Sequence, residues 1–329
     1  MKAKSLSTLA ATAALITSAA ASVTIDYVSV GNAGNAADTN GYGAVSYAYQ
    51  IGKYEVTNAQ YATFLNAADP TGANANGIYD ANMGSNDRGG VTYTAGAASG
   101  AKYTIRTSMG DKPVNYVSWY DAARFTNWLG NGQGSGSTET GSYTLNGNTG
   151  IITKNVGATV YLPSEDEWYK AAYYDPTPGA GDGDNYWTYA TQSDTAPTIA
   201  SANSTGDISN PGANVANYAS GADWGTPLQN GNVTTVGSAG ALAESYFGTA
   251  DQGGNVWEWN DAVISGSSRG LRGGSWDFFD SGLASSFRLV SDPSSVYGFV
   301  GFRVASVPEP TSLLLTMLAG GVMLARRKR

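Results

Sequence analysis

The stretch "DKPVNYVSWYDAARFTNWLG" (111–130) sets the character of the fold. Ser118 precedes a run in which Ala122, Phe125, Trp128 and Leu129 recur at helical spacing. Asp121 follows Ser118 by three positions, the spacing of a capping box. The Ser118 hydroxyl can accept an orphan backbone N–H of the first turn while Asp121 returns a bond, and Gly130 ends the run. The pattern recurs at Thr57 with Gln60, ahead of Tyr61, Phe64 and Leu65, and at Ser164 with Glu167, just after Pro163 and ahead of Trp168, Ala171 and Ala172. Asp175-Pro176 closes this last run. Short amphipathic helices are therefore predicted after Thr57, Ser118 and Ser164.

Strand-like pieces lie around them at 43–55 ("GAVSYAYQIGKYE"), 160–162, 287–290 and 301–305. Between these run long segments, 71–108, 131–158 and 177–235, rich in Gly, Asn, Thr and Ala, and no internal repeat of domain-building length is present. The expected class is α+β, irregular, with short helices and long loops over an aromatic core. A β-sandwich is the alternative, because the helical signal is confined to those segments.

Composition narrows the chemistry. The 329 residues include no Cys and no His, which removes thiolate and imidazole nucleophiles, disulfides, and thiolate or histidine metal centres. The formal charge is −8, with Lys and Arg scattered or gathered at the C-terminus, so no nucleic-acid footprint is present. Only 13% of residues are charged, yet 8 Trp and 21 Tyr are available for a core. The "GNGQGSGS" segment (130–137) lacks the Gly-Lys-Ser/Thr of a phosphate loop. Lys112, Lys154 and Lys170 lie in no hydrolase motif that would pair one with a serine.

Both ends read as processing signals. Residues 1–21 carry Lys2 and Lys4, an apolar run from Leu6 to Ile16, and Ala19-Ala20-Ala21, which describes a secretory signal peptide cleaved near Ser22. At the other end Pro308-Glu309-Pro310 precedes "TSLLLTMLAGGVMLA" (311–325) and Arg326-Arg327-Lys328-Arg329. Such an apolar segment spans roughly 22 Å as a helix, short of the ~30 Å hydrocarbon core. The arrangement resembles the PEP-CTERM sorting signal of Gram-negative bacteria, which an exosortase recognises and cleaves. That resemblance implies export to the cell surface or extracellular matrix, with membrane contact only through the C-terminal signal before processing. A retained C-terminal membrane helix is the alternative. The expected division is 1–21 signal peptide, 22–307 folded domain and 308–329 sorting signal.

Within the domain, "GKYEVTNAQYATFLNA" (52–67), 111–130, "YLPSEDEWYKAA" (161–172), "GGNVWEW" (253–259), "LRGGSW" (271–276) and "GFRVA" (301–305) resemble, in order, the motifs of the formylglycine-generating enzyme or sulfatase-modifying factor family. The resemblance implies an elaborated C-type-lectin-like fold stabilised by calcium. Its enzymes oxidise a sulfatase cysteine with oxygen and a copper ion held by two cysteines, or use histidine-ligated iron. Counting back from Gly301-Phe302-Arg303, the copper positions fall at Asp280 and Ser285, and no shift of register reaches a cysteine. Soft copper wants thiolate or thioether ligands, so neither copper nor iron is expected and formylglycine-forming activity is not expected.

Calcium is compatible with this chain, since it takes six to eight hard oxygens. The resemblance assigns Asp251 and Glu258 as side-chain ligands and Gly254 and Val256 as carbonyl ligands; for a second site it assigns Asn217 and the Tyr218 carbonyl, with the later aspartate unmatched. Against this, Glu258 can be a helix-surface or salt-bridged carboxylate, Trp257 and Trp259 core residues, and Arg272, Arg288 and Arg303 structural cations. The surface equivalent to the family's cleft would comprise Trp276, Asp277, Phe278, Asp280, Ser285 and Arg288, with an exposed aromatic able to stack on a sugar or hold a peptide; simple loop packing is the alternative. The acid pairs Glu165/Glu167 and Asp277/Asp280 could serve a glycosidase only at a suitable separation. The expected function is a non-catalytic, calcium-stabilised extracellular domain engaging polysaccharide or a surface protein. The alternatives are an enzyme that uses the cleft without Cys or His, and a matrix protein without a specific ligand.

Overall fold

All three capping boxes close. The computed structural model describes residues 22–147, 150–225 and 228–307; the signal-peptide reading of 1–21 and the sorting signal at Pro308, Glu309 and Pro310 lie outside them. In chain order the elements are β1 (Tyr27–Val30), β2 (Tyr49–Gly52), α1 (Asn58–Ala68), α2 (Asn82–Ser85), β3 (Val91–Tyr93), β4 (Tyr103–Ile105), α3 (Trp119–Gly130), β5 (Val160–Tyr161) and α4 (Glu165–Tyr173). They continue with β6 (Thr198–Ile199), β7 (Val215–Ala216), β8 (Trp257–Ser265), β9 (Ser268–Arg272), α5 (Asp280–Leu283), β10 (Leu289–Ser291), β11 (Val300–Phe302) and β12 (Ala305–Ser306). Thr57, Ser118 and Ser164 each accept the N–H three residues on, and Gln60, Asp121 and Glu167 each return the bond to the cap. This satisfies donors that a helix start otherwise leaves to water. The class is α+β, as expected.

Two four-stranded sheets form the frame. One runs β1-β2-β12-β5 with antiparallel pairing throughout, so both ends of the described chain share a sheet. The other runs β10-β9-β8-β11, with β11 parallel to β8. The strand expected over 43–55 is paired only at Tyr49–Gly52, and the one expected over 301–305 is split between β11 and β12. At the split, Arg303 turns inward between the sheets. The longest strand, β8, was not expected. Trp257, Glu258, Trp259 and Asn260 are all buried, so the alternation that marks a half-buried strand is missing.

Aromatic rings fill the space between helices and sheets. Phe125 of α3 lies 5.5 Å from Phe64 of α1 and 5.4 Å from Phe302 of β11. Trp119, Trp168 and Trp259 are fully buried, and each indole N–H has a partner: Asn260 O, Glu258 Oε2 and Val117 O respectively. The long segments carry two short ladders, β3-β4 and β6-β7, and are otherwise ordered by side-chain amides. Asn127 donates to Thr138 O and Tyr143 O and accepts from Tyr143 N, while Asn74 bonds both backbone groups of Tyr79. Asn and Ser make such local bonds cheaply, which is why their abundance reads as loop.

Candidate functional site

The turn before β8 gathers most of the residues singled out in the sequence. Asp251, Gly254 and Asn255 all have positive φ, and only glycine fits at 254, where a Cβ would stand 2.3 Å from Asn217 O. Gly254 N donates to Gly273 O (2.8 Å), Asn255 N to Asn217 O (2.8 Å), and Trp276 N to Asn255 O (2.9 Å). Residues 217, 251–258 and 273–276 therefore meet. The Asn217 amide donates to Asn232 O and Asn255 Oδ1, but its own Oδ1 is buried without a hydrogen-bond partner. The Tyr218 carbonyl accepts from Gly221 N at 3.1 Å, and the Tyr218 ring belongs to the core.

Glu258 lies on β8, not on a helix surface. Arg303 clamps it, Nε to Oε2 and one terminal nitrogen to Oε1, both at 2.6 Å, and Trp168 Nε1 donates to Oε2 at 2.7 Å. The same guanidinium donates to Gly52 O and Lys53 O at 3.0 Å and to Ala250 O at 2.9 Å. Close by sits an acid that the sequence reading missed. Glu55, 1% exposed, accepts from Asn255 Nδ2 with Oε1 while Oε2 has no partner.

Burial pushes the Glu55 carboxyl well above the usual range, with repulsion from Asp251 next and Arg303 opposing. Burial likewise pushes Asp251 up to about 6; the Gly237 N–H and Arg303 oppose this, and Glu258 and Glu244 add to it. Three acids thus interact around one guanidinium, an excess of two negative charges when all are ionised.

A hard divalent cation fits this arrangement in charge and in donor type, and the orphaned Glu55 oxygen is the kind of donor it takes. A small, partly open pocket of about 10 Å³, room for one water-sized occupant, is lined by Asp251, Gln252 and Gly253 but not by Glu55. Side chains alone do not make the coordination shell. Among the described residues no three Asp or Glu groups converge as metal ligands, so carbonyls such as those of Gly254 and Val256 would complete it. With both Glu258 oxygens bonded to Arg303, Glu55 and Asp251 have more capacity to ligate than Glu258 does.

The 273–290 segment differs from the expected open cleft at its centre. Trp276 is 7% exposed, and the Arg88 guanidinium covers its ring at 4.3 Å, so it offers no stacking face. Phe278 is half-buried against Trp257 and Phe287. Asp277 and Asp280 are exposed, Asp277 accepting from Ser275 Oγ and Asp280 from Ser281 N. Ser285 is buried, its N–H donating to Thr188 O and its carbonyl accepting from Arg272. The aromatic turned outward is Phe279, 70% exposed, which the sequence reading passed over. Its backing is firm, since Ala219 N donates to Phe278 O (2.8 Å) and Ser220 N to Trp276 O (2.7 Å).

Arg272 is fully buried and binds Glu165 and the carbonyls of Ser285 and Phe287. Arg288, partly exposed, reaches the other Glu165 oxygen at 3.2 Å. Glu167 is buried, caps α4 and accepts from Tyr47 and Tyr161. Glu165 and Glu167 are thus tied to separate structural partners and do not form an acid–base pair in an open cleft.

The sulfatase-modifying factor enzyme 1-like domain matches residues 27–307. Hercynine oxygenase of Mycolicibacterium thermoresistibile is 25% identical over 292 residues, covering 78% of this chain and 50% of that protein. Hercynine oxygenase of Mycobacterium tuberculosis is 25% identical over 284 residues, covering 78% and 52%. The chain spans about half the length of these curated relatives. Among solved structures, CarF superimposes with a TM-score of 0.54 at 21% identity, over 87% of this chain and 99% of CarF, a likeness of fold. Treponema denticola variable protein 1 gives 0.49 at 20% identity, over 88% and 98%.

Proposed function

Because the chain belongs to the sulfatase-modifying factor enzyme 1-like family yet has no cysteine or histidine, we propose that it uses the family's C-type-lectin-like scaffold for binding and not for catalysis. The observation that carries this reading is the pairing of that composition with an exposed, rigidly backed Phe279 in the 273–290 segment. Asp280 and Ser285 offer a surface carboxylate and a buried hydroxyl, neither a ligand for soft copper. An aromatic held out in water beside Asp277 and Asp280 is a suitable anchor for an extracellular polysaccharide or surface protein. Calcium would be held by Asp251, Glu55 and neighbouring carbonyls, where it neutralises buried acids and stiffens the turn behind this surface. An exosortase acting at Pro308-Glu309-Pro310 would deliver the domain to the cell surface or matrix.

The name of the curated relatives describes an oxygenase, which makes catalysis the reading to test against. The full chain is assayed for hercynine oxygenation and for formylglycine formation in a cysteine-containing sulfatase peptide, and for binding to arrayed bacterial polysaccharides and surface proteins. No turnover, with binding lost in Phe279→Ala, is the expected result. Turnover of either substrate, or binding indifferent to Phe279, overturns it.

A further inference from the structure

We propose that a second cleft, separate from the Phe279 surface, binds an uncharged segment of carbohydrate. Its volume is about 540 Å³, and Ile105, Thr107, Ser108 and Met109 line one side, with Ser204 and Trp224 among the residues facing them. That volume falls within the range of small-ligand sites, ~300–1,000 Å³.

The walls are fixed before any ligand arrives. Arg106 donates to Gly89 O (2.7 Å) and Asn86 O, and the buried Asn58 amide donates to Met109 O (3.0 Å), which together pin the 105–109 wall. Arg88 crosses to the opposite wall, bonding Gly231 O (3.0 Å) and Gln229 O. Lys112 bonds Thr205 O (2.6 Å) and Thr235 Oγ1 (2.7 Å), and its ammonium lies 5.0 Å from the Trp224 ring. Ser108 holds φ at 61°, a backbone region that non-glycine residues adopt at a cost and that recurs at binding sites.

The lining selects the ligand class. Each of the three cations is spent on backbone or hydroxyl partners, and Asp87 pairs with Arg106 at 3.6 Å across the mouth, so no unpaired charge is presented. What remains is the exposed side chain of Ile105 beside exposed hydroxyls at Thr107, Ser108 and Ser204, over Met109 and Trp224, which are themselves buried and make a firm base with Trp276. Neutral hydroxyls around one exposed apolar side chain match a neutral sugar, whose surface is hydroxyls around small apolar faces. An anionic glycan would leave its charge without a partner in such a cleft.

The full chain is probed on an array of neutral, sulfated and uronate-containing glycans and on a random-peptide array, and the best neutral hit is titrated calorimetrically. The Thr107→Leu/Ser204→Leu double variant changes only exposed side chains. With its melting temperature unchanged, it is expected to bind the neutral hit about tenfold more weakly, as loss of two neutral hydrogen bonds implies. Phe279→Ala is expected to bind it normally, which separates this cleft from the surface proposed above. Binding only to charged glycans or to peptides, no neutral hit, or full affinity in the double variant overturns the assignment.

Discussion

Arg303 and Glu258 form a two-pronged ion pair, both contacts at 2.6 Å and both side chains fully buried, at the junction of the two sheets. Arg303 lies between β11 and β12, Glu258 on β8, and the guanidinium also bonds the carbonyls of Gly52, the last residue of β2, and Lys53, so one side chain braces both sheets. Removing one partner strands the other charge in the interior, typically ~3–5 kcal/mol, whereas replacing both with apolar groups costs less. Urea denaturation should therefore show Arg303→Met and Glu258→Leu each strongly destabilised, and the double variant more stable than either. Additive losses would mean that the pair is not the brace.

Calcium should raise the melting temperature of the full chain, because a ligand that binds only the folded state stabilises it. Asp251→Asn and Glu55→Gln should each remove most of that rise. In EDTA, Glu55→Gln should match or exceed the parent in stability, since it replaces a buried acid whose Oε2 has no partner. A parent indifferent to calcium, or a variant that keeps the full response, rules out these ligands.

Asp261 supplies a pH dependence that a difference measurement can isolate. Burial raises its carboxyl to about 7, with Arg269 and Lys154 opposing. The unfolded chain releases this proton near pH ~4, so between pH ~4 and 7 the folded state holds the extra proton. Its contribution to stability is full below pH ~4 and is lost as pH rises through about 7. Relative to the parent, Asp261→Asn should gain stability from pH ~4 to about 7 and level off above that in paired denaturation curves. A flat difference curve would show that Asp261 ionises normally in the fold.

Helix starts were legible because capping is local: Ser118 and Asp121, three residues apart, decide the matter between themselves. Motif order was legible for a similar reason, and it brought residues 217, 251–258 and 273–276 forward together. Strand β8 was hidden because burial on both faces erases the polar alternation of Trp257 to Asn260. The long segments hid most of their order because their ladders, β3-β4 and β6-β7, are two or three residues long and because Asn127 and Asn74 make side-chain bonds to partners that spacing does not reveal. Trp276 and Phe279 differ only in which way the backbone turns: Arg88 arrives from 188 residues upstream to cover one ring, and no local pattern shows it. Glu55 and Asp251, 196 residues apart, become neighbours through the register of the whole frame.

The Ser118 cap and the Phe279 side chain should separate stability from binding. Ser118 accepts from Asp121 N at 3.1 Å, and its own N–H donates to Asp121 Oδ2 at 2.9 Å. Ser118→Ala should therefore cost about 1 kcal/mol in urea denaturation, and it should leave the affinity of the folded protein unchanged. Phe279 is 70% exposed, so Phe279→Ala should change stability by no more than ~0.5 kcal/mol, as surface substitutions do. Its effect should appear in binding to arrayed polysaccharides and surface proteins. If Phe279→Ala unfolds the protein, the ring is part of the core and does not serve as an anchor; if Ser118→Ala weakens binding in fully folded protein, helix α3 is coupled to the ligand surface.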